Sequence, residues 1–260
     1  MIHVRRDERP QGVVAYLTLD DGRGLNVIGS AAMDALTKAL GTLASDDDLR
    51  VVVLSGAGKR AFSVGADIKE MAAIDNPADA RALITRLHRT ADAIRGLPVP
   101  VIGKIHGFCF GAGMEIAVAC DVRFAADNAS FGMPEVKIGI PSVIEAALFP
   151  LLAGFGRARE VLMLGEAFSA SEALTWRLIE HVVPASNLDQ AVEDWIAKLL
   201  TSAPRAVRLQ KRLIRQWEDL PVSDAVAAGI DAFAAAYETD EPRVTMRKFL
   251  AAQKARKAGS

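Results

Sequence analysis

Two glutamates twenty residues apart, Glu115 and Glu135, each close a short run of small residues. The first run reads Gly107-Phe-Cys-Phe-Gly111-Ala112-Gly113-Met-Glu115 and continues into the apolar Ile116-Ala-Val-Ala-Cys120. The second reads Ala129-Ser-Phe-Gly132-Met-Pro134-Glu135, and a third glycine-bearing segment, Phe62-Ser-Val-Gly65-Ala66-Asp67-Ile68-Lys69, lies upstream. Paired carboxylates can move protons as acid and base, and glycine-bearing turns can aim backbone amides at a developing oxyanion. A carboxyl buried in an apolar stretch beside a second carboxylate binds its proton more tightly. One site can then offer an acid and a base together. The set points to an enzyme; the bland alternative is two unrelated glutamates at the surface or in salt bridges.

The same segments exclude several other chemistries. Gly111 and Gly113 would need a third glycine at position 116 to form a dinucleotide fingerprint, and that position is Ile116. Ser55-Gly-Ala-Gly58-Lys59-Arg60 lacks the earlier glycine and the Ser or Thr after lysine that a phosphate loop requires. No Gly-x-Ser-x-Gly nucleophile elbow is present. The four histidines, His3, His88, His106 and His181, show no ligand spacing, and His106 reads as a hydrogen-bonded structural residue. Cys109 and Cys120 lie in apolar segments and read as buried thiols rather than a disulfide or a zinc site. Lys59, Arg60 and Lys69 flank the Gly65-Ala66 turn and either meet phosphates or form a solvated rim.

At 260 residues the chain can bury a sizeable core, as one large domain or as one domain with a small appendage. A net charge of −1 gives no global attraction to nucleic acid or anionic lipid. No apolar run reaches the length of a membrane span, and Met1 leads almost directly into a strand-like pattern. A cytoplasmic protein without a leader peptide is the expectation.

The elements that must position the glutamates follow from periodicity. Ile2 to Val4 and Val13 to Leu19 read as strands joined by a polar turn over Arg6 to Gly12. Met33, Leu36, Leu40 and Leu43 fit the buried stripe of an amphipathic helix, and Val51 to Leu54 a strand covered on both faces. A helix carrying Leu83, Ile84, Leu87, Ala91 and Ile94 then leads into the strand Val99 to Ile102 and the first glutamate segment. The strand Val122 to Phe124 leads into the second. Ser142-Val-Ile-Glu145 and Ser169-Ala-Ser-Glu172 both match the helix capping box. Residues 1 to 200 thus alternate strand and helix, and 201 to 260 are helical, with Arg243 to Lys257 rich in Lys and Arg.

Taken together, the segments resemble the crotonase superfamily, the enoyl-CoA hydratase/isomerase family. The resemblance runs through Phe62 to Met71, Gly107 to Glu115, Cys120 to Ala125 and Phe131 to Glu135, and on to Arg157, Leu164-Gly165 and Ala170 to Ala173. It implies an α/β fold, a spiral of repeated strand-strand-helix turns over 1 to 200, followed by a C-terminal helical region that builds trimers or dimers of trimers. It also implies a coenzyme A thioester as substrate and no separate cofactor. By position the amides of Ala66 and Ala112 would form the oxyanion hole, and Gly65, Asp67, Ile68, Lys69, Gly111 and Ser142 would contact the acyl-CoA. Glutamate at both 115 and 135 implies hydration of a 2-enoyl-CoA. Glu115 would take a proton from water, Glu135 would give one to the α-carbon, and the amide at Ser142 would help to hold the water. The alternative is another reaction of the family on an acyl-CoA: double-bond isomerisation, thioester hydrolysis or carbon–carbon cleavage.

Two departures stand out. Relatives carry a Gly-rich stretch after the second glutamate, whereas this chain reads Gly139-Ile-Pro141-Ser142-Val-Ile-Glu145-Ala-Ala-Leu, one residue shorter. Glu145 is then either the capping partner of Ser142, which its spacing favours, or a third carboxylate near the acyl pocket. Arg177 occupies a position where relatives often have glycine, which puts a local turn in question.

Overall fold

The computed structural model describes residues 1–258, with side chains described through Ala255. The chain divides into two compact units, Met1–Ala197 and the segment beginning at Lys198. In the first unit a hairpin of β1 (Ile2–Arg9) and β2 (Gly12–Leu19) precedes α1 (Ser30–Ala44). Three turns of a repeat follow. The first is β3 (Leu49–Gly56), β4 (Ala61–Ser63), the short α2 (Ile68–Ala72) and α3 (Pro77–Gly96). The second is β5 (Val101–Ile105), β6 (Phe108–Phe110) and α4 (Ala112–Ala119). The third is β7 (Val122–Ala126), β8 (Ser130–Gly132), two 3-10 turns (Pro134–Ile138 and Ile144–Leu148) and α5 (Phe149–Leu164). The unit closes with β9 (Ala167–Ser169), α6 (Ala170–Thr175) and β10 (His181–Val183) before α7 (Leu188–Leu199).

Each turn of the repeat lays one strand on each of two sheets. The larger sheet has the order β1-β2-β3-β5-β7-β10 and the smaller β4-β6-β8-β9. Within them β3, β5 and β7 run parallel, as do β4, β6 and β8. This is the α/β spiral that the resemblance implied. Every residue of β3 is buried, as a parallel strand covered on both faces requires. Met33, Leu36, Leu40 and Leu43 of α1 are buried, and so are Leu87, Ala91 and Ile94 of α3. Pro77 at the start of α3 and the Asn76 side chain, which accepts from the Asp79 amide at 2.9 Å, fix where that helix begins. Cys109 and Cys120 are buried and are not joined in a disulfide.

In the second unit α8 (Pro204–Asp219), α9 (Val222–Ala236) and α10 (Glu241–Ala258) succeed one another. Of the basic side chains expected along α10, those of Arg256 and Lys257 lie outside the described residues. On α9, Val222, Val226, Ile230 and Phe233 repeat at helical spacing and are all exposed. Among the described residues no helix is long and apolar enough to cross a membrane.

The structure revises the expected turn at Arg6 to Gly12. Pairing continues to Arg9 opposite Gly12, so only Pro10 and Gln11 lie between the strands. Charged side chains had hidden the strand because β1 has no fully buried residue and so no apolar alternation. Ser169 and Glu172 form the expected capping box. The turn in question at Arg177 exists: α6 ends with the Leu178 amide donating to Ala173 O at 2.9 Å and the Arg177 amide to Leu174 O at 3.0 Å. This is a Schellman ending, and Arg177 holds its left-handed position at φ 65°. Arg177 is exposed, so the position is strained for reasons of backbone alone. Arg177→Gly is expected to stabilise the chain by about 1 kcal/mol, raising the thermal midpoint by about 2–4 °C. An unchanged midpoint in a calorimetric scan would contradict strain at this turn.

Candidate active site

The site forms where the second strand of each repeat ends. After β4 the chain turns at Gly65, with φ 105°, and the Ile28 amide donates to Gly65 O at 2.9 Å. A Cβ on Gly65 would lie 3.0 Å from Phe110 O and 3.5 Å from the Ala112 nitrogen. Glycine is therefore what allows this turn to lie against the start of α4. Ala112 is the first residue of α4, and its amide has no acceptor within the helix. Gly111, with φ 52°, precedes it, and a Cβ there would lie 2.7 Å from Glu135 Oε1. The second glycine thus admits the second glutamate to the head of the helix that carries the first.

Glu115 lies one turn into α4, and its amide donates to Gly111 O at 3.0 Å. All eight residues of α4 are buried, so the helix has no solvent face on which to place a carboxylate. Glu115 is 4% exposed and its Oε1 has no hydrogen-bond partner. Burial first, then the carboxylates of Glu135 and Glu145, pushes its carboxyl up to about 8, while the amides of Ala146 and Val143 favour the ionised form and oppose the shift. Glu135 opens the 3-10 turn Pro134–Ile138, whose end is set by Gly139 at φ 84°. Its Oε2 accepts from Ser142 Oγ at 2.8 Å.

A cavity of about 110 Å³ joins these groups. Gly65, Ala66, Gly111, Ala112, Glu115 and Glu135 line it, together with apolar side chains that include Ile84, Leu87 and Ile140. The sequence-derived candidates divide accordingly. Ile68 also lines the cavity, and Ser142 reaches it through Glu135. Asp67 instead caps α2, accepting from the amides of Lys69 at 2.8 Å and Glu70 at 3.4 Å, and Lys69 is exposed. Lys59 lines a separate cavity with Lys104 and His106. His106, expected to be hydrogen-bonded, has a buried Nε2 without a partner, and burial lowers its proton affinity.

The capping box expected for Ser142 and Glu145 does not form. The 3-10 turn Ile144–Leu148 has Val143 at its cap and no side-chain cap bond, and Ser142 spends its hydroxyl on Glu135. Glu145 is 2% exposed and bonds His88 Nδ1 at 3.0 Å. The Ser-x-x-Glu spacing requires a helical first turn, whereas Ile144 stands at φ 41° and turns Glu145 inward. His88 of α3 is one of the four histidines without ligand spacing, and nothing in the sequence pointed it to Glu145. The one available signal was the carboxylate set in the apolar run after Pro141.

An α/β spiral with a carboxylate pair and two amide-bearing turns around one apolar pocket defines an enzyme of the crotonase type. A family model described as enoyl-CoA hydratase/isomerase matches residues 9–257, and the chain belongs to that family. It is 31% identical over 245 residues to a short-chain-enoyl-CoA hydratase of Clostridium acetobutylicum, with 94% of each chain covered. It is 32% identical over 219 residues to an (E)-benzylidenesuccinyl-CoA hydratase of Thauera aromatica, covering 82% of this chain and 83% of the other. The crystal structure of an enoyl-CoA hydratase from Bacillus anthracis is similar at a TM-score of 0.88, with 31% identity and 95% of each chain covered.

The raised proton affinity of Glu115 has a consequence for folding. The folded chain keeps a proton at Glu115 that the unfolded chain releases near 4.5, the ordinary value of a glutamate. Stability therefore falls as pH rises from there to about 8, by up to about 1.4 kcal/mol per pH unit. Glu115→Gln is expected to be more stable than wild type, with a margin that widens across this window and levels off above it. Urea denaturation at a series of pH values reads that margin; a constant difference would mean that the carboxyl titrates normally.

Proposed function

We propose that the chain is an enoyl-CoA hydratase, adding water across the 2,3 double bond of a 2-enoyl-CoA thioester. The observation that carries this reading is that Glu115 and Glu135 line one pocket together with the turns at Ala66 and Ala112. The thioester oxygen accepts from the Ala66 and Ala112 amides, which stabilise the enolate charge that forms as water adds to the β-carbon. Alanine at 112 serves because only its amide is used. The water oxygen bonds to the β-carbon, the ionised carboxylate takes one of its protons, and the protonated carboxyl delivers one to the α-carbon. Atoms and charge balance without any cofactor beyond the coenzyme A of the substrate.

The division of labour implied by the resemblance makes Glu115 the base, whereas burial favours a proton on Glu115. Substrate binding must therefore settle that proton on Glu135 before water attacks. Ser142, bonded to Glu135, orients that acid. The apolar wall of Ile84, Leu87 and Ile140 suits the acyl chain. The exposed apolar row on α9 supports assembly into trimers or dimers of trimers, in which α10 lends basic groups to the nucleotide end of a neighbour's ligand. A cytoplasmic setting fits a thioester of this kind. A different reaction of the family on an acyl-CoA is the second reading, and Glu145 inside the protein beside Glu115 is the observation that favours it.

With crotonyl-CoA, the conjugated enoyl-thioester absorbance is expected to decay rapidly in wild type. Glu115→Gln and Glu135→Gln should each lower kcat by about 100-fold or more. Tight binding of the thioester with no decay would reject hydration. The rate should also fall as pH rises through about 8, where Glu115 loses the proton that the reaction needs. A rate still climbing well above that pH would show that no protonated carboxyl takes part.

A further inference from the structure

Exposure gives the cavity of Glu115 and Glu135 a direction. Ile68 is 62% exposed and marks its mouth, whereas Leu87, at 3%, lies at the inner end with the buried Glu115. An apolar cavity of about 150 Å³ holds one benzene ring, so the volume of about 110 Å³ here gives room for about four or five carbons. Two residues stand next to that inner end without lining it. His88 follows Leu87 on α3 and shares the helix face of Ile84, four residues back, which also lines the cavity. Glu145 comes two residues after Val143, a lining residue of the loop that leads into the turn Ile144–Leu148. Glu145 is buried, and its Oε1 lies 3.0 Å from His88 Nδ1. That bond forms with the proton on either of the two atoms. The His88 side chain is 49% exposed, so the pair spans the layer between the interior and solvent on the α3 side. Ile144, between Val143 and Glu145, holds φ 41°, a conformation that a β-branched residue adopts only when its surroundings enforce it. The Glu145 Oε2 is buried without a partner. Neither feature favours stability; together they set a hydrogen-bonded pair between the inner wall and solvent.

We propose that Glu145 and His88 form a latch that shuts the inner end of the acyl pocket and makes the chain selective for short acyl-CoA thioesters, of about four to six carbons. The latch joins α3 to the loop at Val143, and so holds together the two walls between which a longer chain would have to pass. A short acyl group fills the space between the carboxyl pair and Leu87. A longer one meets the closed wall, and its added methylenes stay near the mouth in water, where they contribute no burial. Without the latch the α3 side opens behind Leu87 and Val143, and a long chain runs through the gap. This inference rests on the reading of the cavity as the acyl site of a coenzyme A thioester.

The test is calorimetric titration of the full chain with saturated acyl-CoA thioesters from butanoyl to decanoyl, which bind without reacting. In wild type the affinity is expected to rise to about hexanoyl and then to level off or fall. In Glu145→Ala and His88→Ala it should continue to rise beyond hexanoyl, by about twofold to fourfold for each further methylene buried. His88 is half exposed, so its variant supplies the reading if Glu145→Ala does not fold. His88→Gln keeps a hydrogen-bonding group for Glu145 and should restore the wild-type cutoff, which a merely structural loss would not do. A cutoff that stays at the same length in both alanine variants overturns the proposal. So does a wild type whose affinity keeps rising to decanoyl, or a variant that weakens every thioester equally. The titration needs no turnover. A wild type that binds these thioesters but does not hydrate enoyl-CoA would therefore reject the hydratase reading and leave this one to be decided by the cutoff. Failure to bind any of them overturns both.

Discussion

Everything in the site depends on one constraint: α4 is enclosed on every side, yet it carries Glu115. A carboxylate cannot be left ionised and unpaired in such a place at tolerable cost. The structure resolves the conflict by letting the group keep a proton and by aiming two backbone amides at it, with no cationic side chain paired to it among the described residues. A basic partner would have neutralised the carboxyl as a proton donor or acceptor. Burial without one keeps its proton affinity near neutrality, the condition under which a carboxyl can both give and receive a proton.

The second requirement is proximity between chain segments far apart in sequence. The spiral places the ends of β4, β6 and β8 side by side, so the Gly65 turn, the head of α4 and the Pro134–Ile138 turn converge. Their approach is limited by the side chains at two positions, 65 and 111. At both, a Cβ would occupy the space of the Phe110 carbonyl or the Glu135 carboxylate. Glycine at these points links fold to chemistry, because the same absence of a side chain that allows the turn also brings two amides and two carboxyls to one small cavity.

The segment from Gly139 to Ala146 shows how a local change is absorbed. Being short of glycine, it reaches its course through Ile144 in a strained conformation. Strain of this kind persists only where neighbours over-determine the backbone, and the Glu145–His88 bond and the Glu135–Ser142 bond lie on either side of it. The loop therefore ties the pocket of Glu115 and Glu135 to α3, which also supplies Ile84 and Leu87 to its wall.

The residues of the candidate site were legible from the sequence because their chemistry depends on type and order: glycines before a helix, then a glutamate in an apolar run. The strands and helices of the spiral were legible for a similar reason, since burial on both faces of β3 and on one face of α1 and α3 leaves a periodic trace. Three features were not. The extent of β1 was hidden because an exposed strand carries no apolar alternation. That Asp67 caps α2 was not visible, because a cap and a binding loop share one local sequence. Glu145 matched a cap by spacing, and only the tertiary structure, through one positive φ and a histidine fifty-seven residues away, turned it into the interior. Sequence determines which groups are available and which segments can bury them. Which carboxylates face one another, and hence where the proton rests, is decided by distances that only the folded chain sets.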